Sequence, residues 1–251
     1  MTPRLTAERT PPPSEAPGYA PLALRDVRAG YGRIEVLHGV DVAVRRGEVT
    51  TLLGPNGSGK TTTLGVMSGL IRPTLGCVHI EGRHVNGLAA EVFAQGGICH
   101  VREGRSVFPN LTVADNLAVT ATKGAAADRV AEVAFTLFPV LRDRRKQLAG
   151  TLSGGEKQML ALACGLGTDP SVLLIDELSM GLAPIIVGDL YEAVAEVARA
   201  GVATLVVEQF ATLGLRYASH AYVMAHGVML YSGSSDGAAE AINEAYLGTS
   251  R

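Results

Sequence analysis

A short glycine-rich segment, Gly54–Thr61, constrains the fold of this chain more than any other feature. Its residues read GPNGSGKT and fit the pattern G-x-x-x-x-G-K-[ST]. They follow a β-rich run, Val49–Leu53, and lead into a helical pattern that extends from Gly59 to about Ser68. Glycines at these spacings let successive backbone N–H groups turn toward an anion, and the helix start adds its positive dipole end. The segment therefore predicts a phosphate-binding loop between a strand and a helix.

The residue types in this glycine loop indicate how each contacts a nucleoside triphosphate. Lys60 is placed to neutralise the β- and γ-phosphates, and the Thr61 hydroxyl is placed to ligate Mg²⁺. A chance glycine-rich turn is the alternative, which the flanking strand and helix disfavour. The predicted nucleotide-contacting residues of the loop and helix start are Gly54, Pro55, Asn56, Gly57, Ser58, Gly59, Lys60, Thr61 and Thr62.

Two adjacent carboxylates follow a second apolar run, Val172–Ile175. Such runs are typical of buried parallel strands, and open α/β sheets bind their ligands at the carboxyl ends of these strands. Alone, an acidic pair after a strand is more often a solvated turn. Beside a phosphate-binding loop, Asp176 is predicted to hold Mg²⁺, directly or through water, and Glu177 to polarise the water that attacks the γ-phosphate.

A third motif, Leu152–Glu156, reads LSGGE and is called the signature segment below. Ser153 and Glu156 have the spacing of a capping box, which many ordinary helices share. However, Gly154 and Gly155 in the first turn weaken a helix by about 1 kcal/mol each. That cost is understandable if the backbone approaches an anion closely, so Ser153, Gly154, Gly155 and Glu156 are predicted to bind nucleotide.

Strand and helix patterns alternate along the chain, which predicts an α/β fold with a largely parallel sheet. The stretch from about Val113 to Gly167 is mainly helical and suggests a lobe inserted between strands. Pro184 and Gly201 are placed to begin and end another helix. His226-Gly227 is predicted to turn a hairpin near the end of the chain.

Composition excludes several other classes of protein. The net charge of −2 provides no basic field for a nucleic acid, so no nucleic-acid partner is expected. The three cysteines form neither metal spacing nor a disulfide framework, which favours a reducing cytosol. No apolar run approaches the roughly 18 residues needed to span a bilayer. Residues 1–21, with three consecutive prolines, are predicted to be a disordered tail.

Together, the order and spacing of the three motifs resemble those of ABC ATPase domains. The resemblance extends over nearly all of 22–248 and implies a P-loop NTPase fold of the ABC ATPase type within 22–251. It also implies an antiparallel β subdomain and an inserted helical subdomain at about 101–167. Two such domains pair head to tail, so each signature segment covers the ATP on the opposite glycine loop. Tyr31 matches the aromatic residue that stacks on adenine; an ordinary half-buried strand aromatic is the alternative.

Further segments resemble the second ATPase subunit of branched-chain amino acid importers. These are VREGRSVFPNLTV (101–113), EKQML (156–160), GLAP (181–184), VEQ (207–209) and YLG (246–248). The resemblance implies a second, related ATPase or a second copy as partner, two membrane permease subunits, and indirectly an extracytoplasmic solute-binding protein. It places the chain in the cytoplasm, held at the inner face of the membrane by the permeases.

Three alternatives stay open at the level of sequence. The cargo could be urea or a short amide instead of a branched-chain amino acid. A soluble ABC ATPase acting on ribosomes or DNA predicts tandem domains and basic surfaces, which this chain lacks. A nucleotide-dependent regulator without hydrolysis is disfavoured because Lys60, Asp176 and Glu177 are all retained.

The chain also departs from the common ABC pattern. Glu103 stands where most members have Gln, and it is predicted to be a catalytic residue and Mg²⁺ ligand. Gln209 replaces the usual switch His and is predicted to donate a hydrogen bond to the γ-phosphate. Ala183 replaces Asp, and Arg102 replaces Pro. Leu178 stands where Pro usually follows the acidic pair, so Glu177 is expected to be held less rigidly and hydrolysis to be slow.

Two surface segments complete the predictions. The basic run Arg142–Lys146 is interpreted as a solvated face, with lipid head groups as the sharper alternative. Phe108 and Leu111 are candidates for docking a helix of the membrane partner, and ordinary packing of the helical lobe is their alternative.

Overall fold

The computed structural model describes residues 20–102, 104, 106–121 and 127–247, without the side chains of 211–213 and 247. Glu103 and residues 1–19 of the predicted tail therefore lie outside the described residues. Pro21, which the sequence analysis assigned to that tail, is buried, and its carbonyl accepts a hydrogen bond from Glu81 N at 2.9 Å. The tail assignment is wrong for Pro21, because this hydrogen bond extends the pairing of the first strand, which begins at Leu22.

Two β-sheets form the framework. The smaller sheet is antiparallel, with the order β2-β1-β4-β5, and the larger sheet has the order β10-β9-β3-β8-β7-β6. The smaller sheet contains β1 (Leu22–Tyr31), β2 (Ile34–Val44), β4 (Leu75–Ile80) and β5 (Arg83–His84). The larger contains β3 (Val49–Leu53), β6 (Ile98–Val101), β7 (Val172–Asp176), β8 (Ala203–Glu208), β9 (His220–Ala225) and β10 (Val228–Ser234).

In the larger sheet, the strands from β9 to β6 pair in parallel and only β10 is antiparallel to its neighbour. Every residue of β3, β7 and β8 is buried. This burial explains their continuous apolar runs, since a parallel sheet is covered on both faces. The predicted fold class is confirmed: an α/β core joined to an antiparallel β sheet and a helical region.

Helices connect and cover these strands. They are α1 (Lys60–Met67), α2 (Ala90–Gln95), α3 (Val113–Thr120), α4 (Ala127–Leu137), α5 (Pro139–Asp143), α6 (Gly154–Leu166), α7 (Pro184–Arg199), α8 (Ala211–Tyr217) and α9 (Ala239–Leu247). Within the described ranges, no helix has the length and apolarity that crossing a membrane requires.

The helical lobe consists of α3 to α6, between β6 and β7 in the chain. Leu117, Phe138, Leu141 and Leu160 are fully or almost fully buried in its core. The lobe begins later than predicted, because Val101 is the last residue of β6 and pairs with Ile175. Val101 therefore belongs to the parallel sheet and not to the helical lobe.

The hairpin between β9 and β10 joins both sheets to the glycine loop. His226 and Gly227 have φ values of 48° and 77°, as a tight two-residue hairpin turn with two positive φ angles requires. Gly227 N donates to Ser58 O at 2.8 Å, and Gly227 O accepts from His38 N at 2.9 Å. A Cβ at Gly227 would lie 1.9 Å from Val36 O, so only glycine fits here.

Candidate functional site

Three parallel strands bring the predicted catalytic residues to one edge of the larger sheet. β3 continues into the glycine loop, β7 ends at Asp176, and β8 ends at Glu208, which is followed by Gln209. The register places Glu208 beside Leu53 and Val207 beside Asp176. The site therefore lies at the carboxyl edge, where the sequence predicted it.

The backbone of the glycine loop needs glycine for its positive φ angles at two positions and for lack of space at Gly54. Gly57 and Gly59 have φ values of 78° and 110°, and a Cβ at Gly54 would lie 2.2 Å from Met224 O. No side chain caps the start of α1, so its first N–H groups keep their capacity for an anion. Among the described residues, the buried Ser58 hydroxyl also has no hydrogen-bond partner. These features fit a triphosphate.

Lys60 lies inside the loop that precedes it. The residue is 5% exposed, and its Nζ donates to Gly54 O at 2.8 Å and Pro55 O at 3.1 Å. Burial lowers the pKa of Lys60, and the charges of Glu177, Asp176 and Glu208 oppose that shift. The ammonium group is thus the positive centre of an otherwise acidic sheet edge.

The two threonines after Lys60 differ in access. Thr61 is exposed, whereas Thr62 is buried. Only the first hydroxyl is therefore accessible for an ion, and the predicted role of Thr62 as a nucleotide contact is left to its backbone.

The residues present fit Mg²⁺. Thr61 supplies an exposed hydroxyl, and Asp176 supplies a carboxylate at the end of β7, both of them oxygen ligands. The described residues contain no group of three or more His, Cys, Asp or Glu that could hold a metal ion by themselves. Mg²⁺ usually takes one or two protein oxygens and completes its shell with phosphate and water.

The backbone at Glu177 has an unusual conformation and is hydrogen-bonded to β8. Glu177 has φ of 49°, a left-handed conformation that persists only where the surroundings fix it, and its N–H donates to Val207 O at 3.0 Å. Leu178 is 0% exposed and packs in the main core. The burial of Leu178 anchors the backbone that follows Glu177, and the expectation of a less rigid Glu177 and slow hydrolysis stays a prediction.

The signature segment forms the predicted capping box at the start of α6. Ser153 N donates to Glu156 Oε2 at 2.9 Å, and Glu156 N donates to Ser153 Oγ at 3.3 Å. A Cβ at Gly155 would lie 2.7 Å from Ile186 Cγ2, so packing against α7 also requires this glycine. At Gly154, a Cβ would make only ordinary contact with Leu182. Packing thus explains Gly155, whereas Gly154 is exposed and packing does not require a glycine there.

Arg144 makes an ion pair with Glu156 that the sequence analysis missed. Partial burial works to raise the pKa of Glu156, but hydrogen bonds from Ser153 and the charge of Arg144 outweigh it, so the pKa is lowered overall. The basic run is therefore not only a solvated face, because Arg144 forms an ion pair with Glu156 of the signature segment. The eleven residues between Arg144 and Glu156 hid this pairing from pattern reasoning.

Arg144→Ala is expected to lower the free energy of unfolding by about 1 kcal/mol, at the upper end for a partly exposed ion pair. Urea denaturation measures it. The matched control is Arg145→Ala, which removes an exposed neighbouring arginine. Equal effects of the two substitutions would show that the ion pair contributes nothing specific.

Tyr31 and Gln209 lie where their predicted roles require access. Tyr31 ends β1 and is 56% exposed, which leaves its ring accessible for the predicted stacking on adenine. Gln209 is partly exposed, and its backbone oxygen accepts a hydrogen bond from the Tyr246 hydroxyl of α9. Tyr246, noted in the sequence only as a family marker, thus fixes the backbone at the switch position.

A buried amide fixes the loop that carries Phe108. Asn116 Oδ1 accepts from Phe108 N at 2.7 Å, and Asn116 Nδ2 donates to the carbonyls of Phe108, Leu111 and Thr112. Phe108 is 55% exposed, whereas Leu111 is partly buried. The structure therefore presents one apolar side chain on a rigid loop, and Leu111 contributes mainly to the packing.

Comparison with known proteins identifies the family of the chain. Residues 37–179 match the sequence profile of the ABC transporter family. The chain is 40% identical over 231 residues to the high-affinity branched-chain amino acid transport ATP-binding protein BraG of Pseudomonas aeruginosa, covering 90% of this chain and 99% of BraG. It is 34% identical over 219 residues to the probable branched-chain amino acid transport ATP-binding protein LivF of Archaeoglobus fulgidus, covering 85% and 92% of the two chains.

Solved structures share the fold. A nucleotide-free ATP-binding cassette from an ABC transporter superposes with a TM-score of 0.82 at 23% identity, covering 92% of this chain and 99% of that one. A dimeric bacterial ABC transporter cassette superposes with a TM-score of 0.77 at 22% identity, covering 86% and 99%. At these identities, the likeness shows the architecture alone.

Proposed function

Because the chain belongs to the ABC transporter family and is an ATPase of that family, we propose that it energises a membrane importer for branched-chain amino acids. The observation that carries the cargo is the 40% identity to BraG over 99% of the length of that protein. The geometry of the sheet edge supports the catalytic part of the proposal, since it brings Lys60, Asp176 and Glu177 together.

In the proposed reaction, the glycine loop and Lys60 bind the phosphates of ATP. Thr61 and Asp176 would hold Mg²⁺, which neutralises phosphate charge when bound. Glu177 orients the attacking water, and its fixed backbone keeps the carboxylate at one place on the sheet edge. Gln209 donates a hydrogen bond to the γ-phosphate, and Tyr31 stacks on the adenine. Glu103 is proposed as a further Mg²⁺ ligand on the strength of the resemblance.

Two ATPase subunits are proposed to close over two nucleotides, each with its Ser153, Gly154, Gly155 and Glu156 against the ATP of the other. The partner is a second, related subunit or a second copy of this chain. The dimeric cassette of the same fold supports this arrangement. The start of α6 at Gly154 is exposed and has the positive end of the helix dipole, which suits a phosphate.

Phe108 is proposed to contact one of two membrane permease subunits. An apolar side chain that is 55% exposed on a loop fixed by Asn116 suits the docking of an apolar helix end. This contact would hold the chain at the cytoplasmic face of the membrane. A solute-binding protein on the other side would deliver the cargo to the permeases.

Affinity purification of the tagged chain from detergent-solubilised native membranes tests the proposal. We expect two permease-like proteins and a second ATPase to be recovered, together with a solute-binding protein that binds leucine, isoleucine or valine. Purified solute-binding protein is then titrated with these amino acids, urea and short amides. Binding of urea or an amide alone would reassign the cargo, and recovery of only ribosomal or DNA-bound proteins would overturn the transporter.

Phe108→Ala should reduce the recovery of permease subunits about tenfold, because an apolar anchor in an interface typically contributes 1–2 kcal/mol or more. The control is Leu230→Ala on β10 at the opposite edge of the sheet from β6, where an apolar side chain is also exposed. ATP binding by both variants should match the unmodified chain. Equal recovery with both variants would remove Phe108 from the docking surface.

A further inference from the structure

One buried carboxylate at the sheet edge has no part in the reaction described above. Glu208 is the last residue of β8, is 1% exposed and precedes Gln209 directly. Burying a carboxylate is costly unless hydrogen bonds satisfy it. Its surroundings therefore indicate what the side chain does.

Glu208 accepts three hydrogen bonds from two other elements. Its Oε1 accepts from Ser179 N and from the Tyr191 hydroxyl, each at 3.0 Å, and its Oε2 accepts from Ser179 Oγ at 2.7 Å. Ser179 lies two residues after Glu177. Tyr191 belongs to α7, is fully buried, and stacks on Tyr217 with ring centroids 5.0 Å apart.

These contacts connect the carboxyl ends of β7 and β8, which are followed by the predicted catalytic residues Glu177 and Gln209. The catalytic segment, Glu177–Ser179, is held at its first residue by Val207 O and at its last by Glu208. Val207 and Glu208 are the final residues of β8 and lead directly into Gln209. A displacement of Gln209 would therefore also displace Glu177 and Ser179, because both are hydrogen-bonded to the end of β8.

Glu208 interacts electrostatically with residues of the candidate site, although its side chain is buried in the core. Burial raises the pKa of Glu208, hydrogen bonds from Ser179 and Tyr191 oppose the shift, and the charge of Glu177 adds to it. Glu208 in turn acts on the pKa of Lys60, together with Glu177 and Asp176. The carboxylate is thus within electrostatic range of both the phosphate-binding lysine and the proposed water-orienting residue.

We propose that Glu208 is a positioning residue for ATP hydrolysis, which holds Glu177 and Gln209 in a fixed relation through Ser179 and Tyr191. In this proposal, Glu208 acts through these residues and does not itself contact the nucleotide or the attacking water. The inference rests on the ATPase activity and is independent of which cargo the transporter carries.

Two substitutions of Glu208 separate geometry from charge. In Glu208→Gln, Oε1 still accepts from Ser179 N and Tyr191, and Nε2 donates to Ser179 Oγ, so the three contacts survive without the charge. In Glu208→Ala, all three are lost. We expect kcat to fall about tenfold or more in Glu208→Ala, because small misplacements of catalytic groups cost this much. In Glu208→Gln, kcat should stay within about threefold.

Tyr191→Phe is a milder variant that removes one hydrogen bond and keeps the ring stacked on Tyr217. We expect a kcat about threefold lower. The matched control is Tyr217→Phe, since among the described residues the Tyr217 hydroxyl donates only to the exposed Glu192, at 3.3 Å. Its kcat should equal that of the unmodified chain.

Turnover by the full-length chain is measured at saturating MgATP and divided by the amount of ATP bound, so that inactive or unfolded protein does not count. KM for ATP should change by less than about threefold in every variant, because the glycine loop is untouched. The expected order of kcat is control, Glu208→Gln, Tyr191→Phe, then Glu208→Ala. Equal normalised kcat in all variants would make Glu208 a fold anchor only. A loss in Glu208→Gln as large as in Glu208→Ala would refute positioning by these contacts, and so would a rise in KM with kcat unchanged.

Discussion

Glu177→Gln is expected to stop turnover while ATP remains bound. The amide keeps the size of the side chain but cannot polarise a water as a carboxylate does, and removal of a general base typically costs a factor of about 100 to 10,000. The backbone of Glu177 is fixed by Val207 and by the buried Leu178, so the substitution should change chemistry and not structure. Binding should persist because Lys60 and the glycine loop are unchanged.

Phosphate release and the nucleotide retained after gel filtration measure the two effects separately. Glu192→Gln on α7 is the matched control, since it makes the same chemical change at an exposed position. Its turnover should equal that of the unmodified chain. Normal phosphate release by Glu177→Gln would remove this residue from the catalytic role and redirect attention to other groups at the sheet edge.

Lys60→Ala is expected to weaken ATP binding by about 100-fold, or about 3 kcal/mol, as when one partner of a buried charge pair is truncated. Lys60 is the positive charge among Asp176, Glu177 and Glu208. Without it, the triphosphate meets three carboxylates with no compensating charge from this side chain. The loss should therefore appear in affinity first and in turnover as its consequence.

A fluorescent ATP analogue titrated with and without Mg²⁺ measures the affinity. The control, Lys146→Ala, removes an exposed lysine of the helical lobe and should bind ATP normally. Because carboxylate repulsion is part of the expected cost, Mg²⁺ should restore more affinity to Lys60→Ala than to the control. Unaltered binding by Lys60→Ala would contradict the phosphate-binding role of the loop.

The sequence predicted best where a local pattern determines a local structure. The glycine loop, the strand that ends at Asp176, and the turn at His226-Gly227 are each set by residues within a few positions of one another. The capping box of Ser153 and Glu156 belongs to the same class. Period, glycine placement and capping chemistry suffice for such features.

The sequence failed where a role depends on a partner far along the chain. Arg144 was assigned to a solvated face because its run of charge gives no sign of Glu156. Glu208 was missed although a signal was present: it ends an apolar run with a carboxylate, as Asp176 does. Comparing the ends of all the predicted strands would have found it.

The central position of β3 determines when this protein becomes able to fold. Both neighbours of β3 in the sheet, β8 and β9, are synthesised long after it. The glycine loop that follows β3 packs against Met224 and accepts a hydrogen bond from Gly227. A nascent chain that has not reached the β9–β10 hairpin leaves both edges of β3 open and the glycine loop without support. Open strand edges invite aggregation, and distant pairings form slowly. Newly made chains should therefore need protection on the ribosome until their last strands emerge, and nonsense truncations before His220 should yield insoluble fragments that bind no nucleotide.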